Sequence, residues 1–469
     1  MSDFRCPQSV IRMAGTSLDD EHDYEYDYDY EHDYDYDYDY EHDYEHERET
    51  VNQRTGEPAN IERNASERRE SSARRPLVIL ALAELLAMTA WFSATAVAPA
   101  LAADWRLDDA GMAWLTLSVQ LGFVAGTLAA ALLNLADRIP AVRLFAASAL
   151  AAAAATALVA LLEPGFTAAV ALRMLTGAAL AGVYPVGMKL AASWTRANRG
   201  LGIGLLVGAL TVGSGAPHLL PLAGGLADWR TALYLAAATT AAGGVIAAAW
   251  LREGPLAAPS PPFQWRYAFR LWRDRELRLA NLGYLGHMWE LYAMWAWIPL
   301  YLRESFDMSG LDPRWANAAA FAVIAAGGIG SLAAGALADR RGRTAVTIAA
   351  MAASGACALA AGPLGGGPPA LVLALALVWG TTVVADSAQF SAAVTELADP
   401  AYAGTALTVQ TCAGFLLTAA SIRLVPILTA RWGWTAAFAA LAAGPVLGVA
   451  AMAALRRAPG ARRLAGGRR

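Results

Sequence analysis

The sequence predicts an all-α membrane protein of twelve transmembrane helices, arranged as two pseudo-symmetric six-helix halves with both termini cytoplasmic. Three observations carry that expectation. Apolar residues make up 57 % of the 469-residue chain and charged residues only 16 %, a balance that suits a chain mostly dissolved in lipid. From residue 76 onward, apolar runs of about 20 residues, enough to cross a bilayer core of roughly 30 Å, recur between short polar breaks. Arg and Lys concentrate in alternate breaks, while the opposite set holds only Arg106, Arg230, Arg303, Arg314 and Arg431. That asymmetry places both termini on the cytoplasmic side and makes the helix number even.

The first 75 residues stand apart from the rest. They hold 22 acidic and 9 basic side chains, and residues 76–469 hold 18 and 27, so a formal charge of −4 conceals −13 against +9. Glu-His-Asp-Tyr recurs at Glu21, Glu31 and Glu41. The repeat has no apolar face at either the strand or the helix period and its charges repel, so residues 1–75 are expected to form a disordered cytoplasmic tail. His22, His32, His42 and His46 lie among carboxylates, but a metal site needs fixed geometry that such a repeat lacks. With no apolar run in this segment, no cleavable signal peptide is expected, and insertion falls to the first membrane helix.

The apolar runs place helices at 76–101, 111–134, 141–162, 166–190, 199–222 and 230–251, an N-terminal half over 76–251. A C-terminal half over 279–455 follows at 279–302, 313–337, 344–362, 369–394, 402–429 and 434–455. Backbone N–H and C=O groups cannot stay unpaired in lipid, so each run is read as a helix. Small residues such as Gly200, Gly202, Gly204, Gly327, Gly328 and Gly330 permit close helix approach. Between the halves, 252–278 starts Pro-rich (Pro255 to Pro262) and continues as Trp265-Arg266-Tyr267, Phe269-Arg270 and Leu271-Trp272-Arg273. Interleaved aromatic and Arg residues suit a short helix lying on the inner membrane surface, in contact with lipid. Residues 456–469 form a basic cytoplasmic tail. Cys6, Cys357 and Cys412 are scattered, which argues against a disulfide frame or a metal site.

Two polar breaks resemble each other. Gly335-Ala336-Leu337-Ala338-Asp339-Arg340-Arg341-Gly342-Arg343 follows the eighth span, and Leu133-Asn134-Leu135-Ala136-Asp137-Arg138-Ile139-Pro140 follows the second. Asp137 and Asp339 lie one six-helix unit apart, which is the mark of a duplicated transporter half. The later break carries Gly-x-Leu-Ala-Asp-Arg-x-Gly-Arg at every fixed position, and on that motif residues 76–455 resemble the major facilitator superfamily. Arg173 four residues before Gly177, then Gly182, Tyr184-Pro185 and Lys189, add a second likeness, and the Gly- and Pro-rich fifth span a weaker one. The resemblance implies a cytoplasmic latch made by Asp137, Arg138, Gly335, Asp339, Arg340, Gly342 and Arg343, holding one conformation and breaking in the other. The carboxylate of Asp339 suits the positive end of the ninth helix. The earlier copy departs from the pattern at Leu133, Pro140 and Ala141, so its latch is expected to be weaker.

A charge at bilayer depth costs at least about 2.5–3.5 kcal/mol, which makes every intramembrane ionisable residue a functional candidate. Those are Glu84, Arg173, His218, His287, Glu290 and Asp386. Gly283, His287, Glu290, Met294 and Trp297 share one helical face, where a His and a Glu three residues apart can share a proton. Glu84 and Arg173 fall at depths that long side chains can bridge, and a carboxylate that exchanges an Arg partner for a proton is a simple coupling device. His218 after Pro217 suits a freed carbonyl, and Arg423 lies near enough to the surface to snorkel. The expected substrate cavity and coupling set is therefore Glu84, Arg173, Tyr284, His287, Glu290, Trp297, Asp386 and Gln389.

No nucleotide loop, metal-ligand cluster or nucleophile–base pair is present, so no enzyme, cofactor or metal site is expected, and nothing suggests nucleic-acid binding. The expected function is secondary active, proton-coupled transport of a small organic or anionic solute by a monomer in the cell membrane. The second and eighth spans lack the Arg residues by which nitrate carriers of this superfamily hold their anion, which disfavours nitrate. Drug or metabolite efflux by antiport is one alternative, and a transporter-derived receptor without net flux is another.

Overall fold

The computed structural model describes residues 74–468 except 164, 196–198, 223–227 and 258–261. The acidic repeat lies outside the described residues. Helices and their connecting turns make up the rest, and no strand occurs among the described residues.

The first predicted span is not one helix. It divides into α1 (74–88), a turn over 89–92, α2 (Ser93–Ala96) and α3 (Ala98–Trp105). α4 (Asp109–Leu132) starts at Asp108, whose carboxylate accepts the Gly111 N–H at 2.8 Å and caps the helix. After the single turn α5 (Leu135–Arg138) comes α6 (Ala141–Leu162). The fourth span is also interrupted, between α7 (Gly165–Leu180) and α8 (Tyr184–Trp194). Pro185 opens the second piece, where its missing N–H costs nothing. α9 (Arg199–Gly215) tightens into a 3-10 segment, Ala216–Leu222, at Pro217 and Pro221, which cannot donate to the helical ladder. α10 (Trp229–Trp250) completes the first six spans.

The segment after α10 holds α11 (Trp265–Arg273), with Tyr267 and Leu271 turned inward and Trp265, Arg266, Phe269 and Arg270 exposed. α12 (Arg275–Met308) outruns its expected length, because Asp274 caps it through the N–H groups of Glu276 and Leu277 at 2.9 and 3.0 Å. α13 (Trp315–Arg341) and α14 (Arg343–Leu364) meet at Gly342, whose φ of 92° suits glycine alone. The tenth span breaks at Asp386, between α15 (Pro369–Ala385) and α16 (Ser387–Leu397). α17 (Ala403–Arg457) covers the last two spans with a kink at Gly433 in place of the expected loop. The basic tail is partly ordered as a 3-10 segment, Pro459–Gly467. Nine helical stretches among the described residues are long and apolar enough to cross a membrane. Side chains such as Ile329 and Leu447, 70 % and 68 % exposed, turn apolar surface outward where a soluble helix would carry charge.

Packing repeats between the two parts of the chain. α4 meets α7 so closely that a Cβ on Gly177 would lie 2.0 Å from the Val119 carbonyl oxygen. Some two hundred residues later, α13 meets α15 in the same way, with a Cβ on Gly380 falling 1.9 Å from the Val323 carbonyl oxygen. α9 packs on α13 and α4 on α17, which joins early elements to late ones.

Candidate substrate and coupling site

At the end of the bundle opposite the basic breaks, a cavity of about 750 Å3 opens between two groups of elements. α2, α3, α4 and α10 form one wall, and α12, α13 and α17 form the other. Cavities of about 300–1,000 Å3 hold small organic ligands. Of the expected site residues, Trp297 alone lines it. Its indole Nε1 donates to the Ile422 carbonyl at 2.9 Å, and across the cavity the Thr95 and Thr116 hydroxyls bond at 2.7 Å. Arg303, Asp312 and Arg314 stand exposed at the rim. Nearby, Arg230 lies over the Trp229 ring at 4.5 Å and bonds both Glu163 and Asp228. Its hydrogen bonds hold both carboxyls below their usual range.

One turn further in, aromatic side chains from both walls close the floor. Trp91 sits 5.9 Å from Tyr292 and 5.7 Å from Phe415, and Phe123 sits 4.6 Å from Phe415. Phe92 stacks on Tyr292 at 6.3 Å and meets the edge of Trp295 at 6.0 Å. All six rings are buried. The composition of the sequence announced the aromatics of α12 but not their partners.

Beside and beyond this floor lie the ionisable residues, in pairings the sequence did not predict. Arg173 is buried and does not pair with Glu84. Its guanidinium donates to the carbonyls of Ala90 at 2.9 Å and Trp91 at 2.5 Å, and to Ser93 Oγ at 3.1 Å. Those carbonyls belong to the turn that interrupts the first span, and a charged donor satisfies what the broken ladder leaves open. Glu84 is buried, and among the described residues neither of its oxygens has a hydrogen-bond partner. It fills the space left by the missing side chain of Gly187, where a Cβ would stand 2.5 Å from its Oε2, and lies in electrostatic reach of Tyr184. His218 is buried, and among the described residues neither ring nitrogen has a hydrogen-bond partner, so the expected bond to a freed carbonyl is not formed there.

His287 and Glu290 do not share a proton with each other. His287 Nδ1 lies 2.9 Å from Asp386 Oδ1, at the α15–α16 break, with its ring against Phe390 at 5.5 Å and Tyr284 at 6.1 Å. Glu290 accepts from Ser354 Oγ at 2.5 Å and Trp379 Nε1 at 2.8 Å. Gln389, expected beside Asp386 in a cavity, instead accepts from Arg343 Nη1 at 2.9 Å.

That bond joins Gln389 to the expected latch. Arg343 is buried and holds Glu396 with Nε at 2.9 Å and Nη2 at 2.6 Å, while Asp339 stands 3.6 Å away. Asp339 therefore faces Arg343 and not the first N–H groups of α14, which has no side-chain cap. Arg340 and Arg341 point outward. In the earlier copy Asp137 binds Lys189, whose Nζ also reaches the Ala136 carbonyl at 2.8 Å, and Arg138 is exposed. The 3-10 segment Pro459–Gly467 covers this end: the Ala465 N–H donates to Glu396 at 2.9 Å and Arg463 to Glu276 at 2.9 Å. Glu396 was missed because it lies just past the inner end of the tenth predicted span, where an acidic residue costs little.

The family model of the Major Facilitator Superfamily matches residues 80–422. Among solved structures, the crystal structure of the human organic anion transporter MFSD10 (TETRAN) superposes with a TM-score of 0.62 at 18 % sequence identity, covering 81 % of this chain and 99 % of that one. No curated protein sequence matches the chain.

Proposed function

The chain belongs to the major facilitator superfamily, and from that premise we propose that it is a secondary active, proton-coupled transporter of a small organic or anionic solute. It works by alternating access in the cell membrane. The observation that carries this reading is the contrast between the two ends of the bundle. One end holds an open cavity of about 750 Å3; below it the two walls meet through Trp91, Tyr292 and Phe415, and toward the basic end α9 packs on α13, with Ser331 Oγ donating to the Gly204 carbonyl at 3.3 Å. Such a contrast is expected of one state of a rocking carrier. Counting the two limbs of α17 separately, and adding α12 and the interrupted first span, raises the nine apolar stretches to twelve crossings. The mirrored Gly177 and Gly380 contacts support two halves over 76–251 and 279–455. With the basic end cytoplasmic, both termini face inward.

In this reading Glu84 is the proton site. It is the one acidic residue of the first membrane segment, it is buried without a hydrogen-bond partner among the described residues, and a proton neutralises it without any cation moving in. Asp386–His287 and Glu290 are the second-half counterparts. The test begins with a thermal-shift screen of metabolites and drugs, since a ligand of the native state raises its melting temperature. Solutes found in this way are then offered to proteoliposomes under an imposed proton gradient. Accumulation that an uncoupler abolishes, with Glu84→Gln keeping solute exchange but losing accumulation, is the expected result. Ligand binding without flux in either assay would point to a receptor, and gradient-driven accumulation by Glu84→Gln would remove Glu84 as the proton site.

A further inference from the structure

The lining of the open cavity is unevenly charged. It holds three charged side chains, Arg303, Asp312 and Arg314. Asp312 and Arg314 neutralise each other, with Nε 2.9 Å from Oδ2. Arg303, in the last turns of α12, has no ion pair or hydrogen bond among the described residues. Asn317, in the first turn of α13, lines the same wall, and its side-chain amide makes no hydrogen bond there either. Among the described residues the cavity lining thus carries one unpaired guanidinium, Arg303, and on the same wall one free amide, Asn317. The contrast with Arg230 is direct, because that guanidinium is held by Glu163 and Asp228.

The remaining surface is mostly apolar. Val97, Pro99, Trp297, Leu300 and Ile422 line it, and the Thr95 and Thr116 hydroxyls are occupied with each other. A free inorganic anion would leave that surface wet, and a neutral hydrocarbon would leave Arg303 without a counter-charge. We propose that the cavity binds an amphiphilic organic monoanion. Its carboxylate or sulfonate sits between Arg303 and Asn317, and its apolar body lies against Trp297 and Leu300. A charge-assisted bond to a planar guanidinium fixes the head, and apolar burial supplies the rest. A dianion is disfavoured, because the lining offers no second unpaired cation among the described residues. The proposal names the solute class for the transport reading and rests on it only for the claim that the bound anion is carried.

The experiment measures binding, not flux. Naphthalene-2-sulfonate and its neutral analogue naphthalene-2-sulfonamide are titrated against the purified full-length protein by thermal shift. The sulfonate is expected to bind about tenfold more tightly, the scale of one hydrogen bond to a charged group. Arg303→Gln, an exposed change, should bring the two ligands within about threefold while keeping the sulfonamide affinity. The double change Asp312→Asn, Arg314→Gln should keep most of the preference, since it removes a matched pair. Equal affinities in the wild type, a preference that survives Arg303→Gln, or no shift with either ligand would each overturn the proposal. Binding as expected with no flux of the sulfonate into proteoliposomes would leave the site standing and count against transport.

Discussion

Arg173 shows how a cation can lie deep in an apolar bundle with its charge held by backbone carbonyls. Its two terminal nitrogens hold two backbone carbonyls and a hydroxyl of the interrupted first span, so the charge serves the backbone. Lysine would keep the charge and lose the planar fork. Arg173→Lys is expected to lower stability by about 2 kcal/mol, the value of one bond to a charged donor, and Arg173→Gln by more. Both are read as midpoint shifts in detergent unfolding, and an unchanged midpoint for Arg173→Lys would show that the carbonyls do not need the fork. The sequence located Arg173, His287, Glu290 and Asp386, because a charge in an apolar run stands out. It could not assign their partners. His287 and Glu290 have helix-face spacing, yet one turns to Asp386 and the other to Ser354 and Trp379. Those choices depend on how α14, α15 and α16 are placed against α12, which no local pattern encodes.

Among the elements, run length and apolarity located nearly every helix, because lipid leaves the backbone no alternative to helical pairing. The interruptions were not legible. Residues 89–92, 181–183 and Asp386 lie inside uniformly apolar or small-residue runs, and only Gly182 and Pro185 hint at one of them. Close packing was partly legible, since glycine at a helix contact is a known device. Gly177→Ala and Gly380→Ala should each be destabilising by about 1–3 kcal/mol, because the new methyl meets a carbonyl oxygen that only a backbone shift can move away. Gly404→Ala is the control. Its Cβ would meet nothing within 4 Å, and removing a helical glycine should add about 0.5–1 kcal/mol. Thermal midpoints of the three variants check the set, and equal midpoints for Gly177→Ala and wild type would mean that α4 and α7 are not held at this separation.

For the whole molecule, the two ends of the bundle should be coupled, and the latch is where to perturb them. Arg343 is buried, with its guanidinium shared between Glu396 and Gln389, and the 3-10 segment Pro459–Gly467 adds the Ala465 N–H to the same carboxylate. Glu396→Gln keeps the shape and one acceptor oxygen but removes the nearer of the two charges that Arg343 faces, leaving Asp339 at 3.6 Å. With Glu396 partly exposed, the loss is about 1–2 kcal/mol of preference for the closed basic end, a factor of about 5–30 in the ratio of states. In a rocking carrier that shift must appear at both ends, because one motion opens the first and closes the second. Spin labels at Arg138 and Arg340 report the basic end, and labels at Ala103 and Met308 report the cavity mouth; all four positions are exposed. In a chain with its cysteines replaced by alanine, Glu396→Gln should lengthen the first distance and shorten the second, in matching fractions of the population. A longer first distance with an unchanged second would mean that the basic end merely frays. If neither distance moves while the protein stays folded, Arg343–Glu396 is an anchor within the second half and not a latch, and the packing of α9 on α13, with Ser331 Oγ on the Gly204 carbonyl at 3.3 Å, would have to carry the closed state.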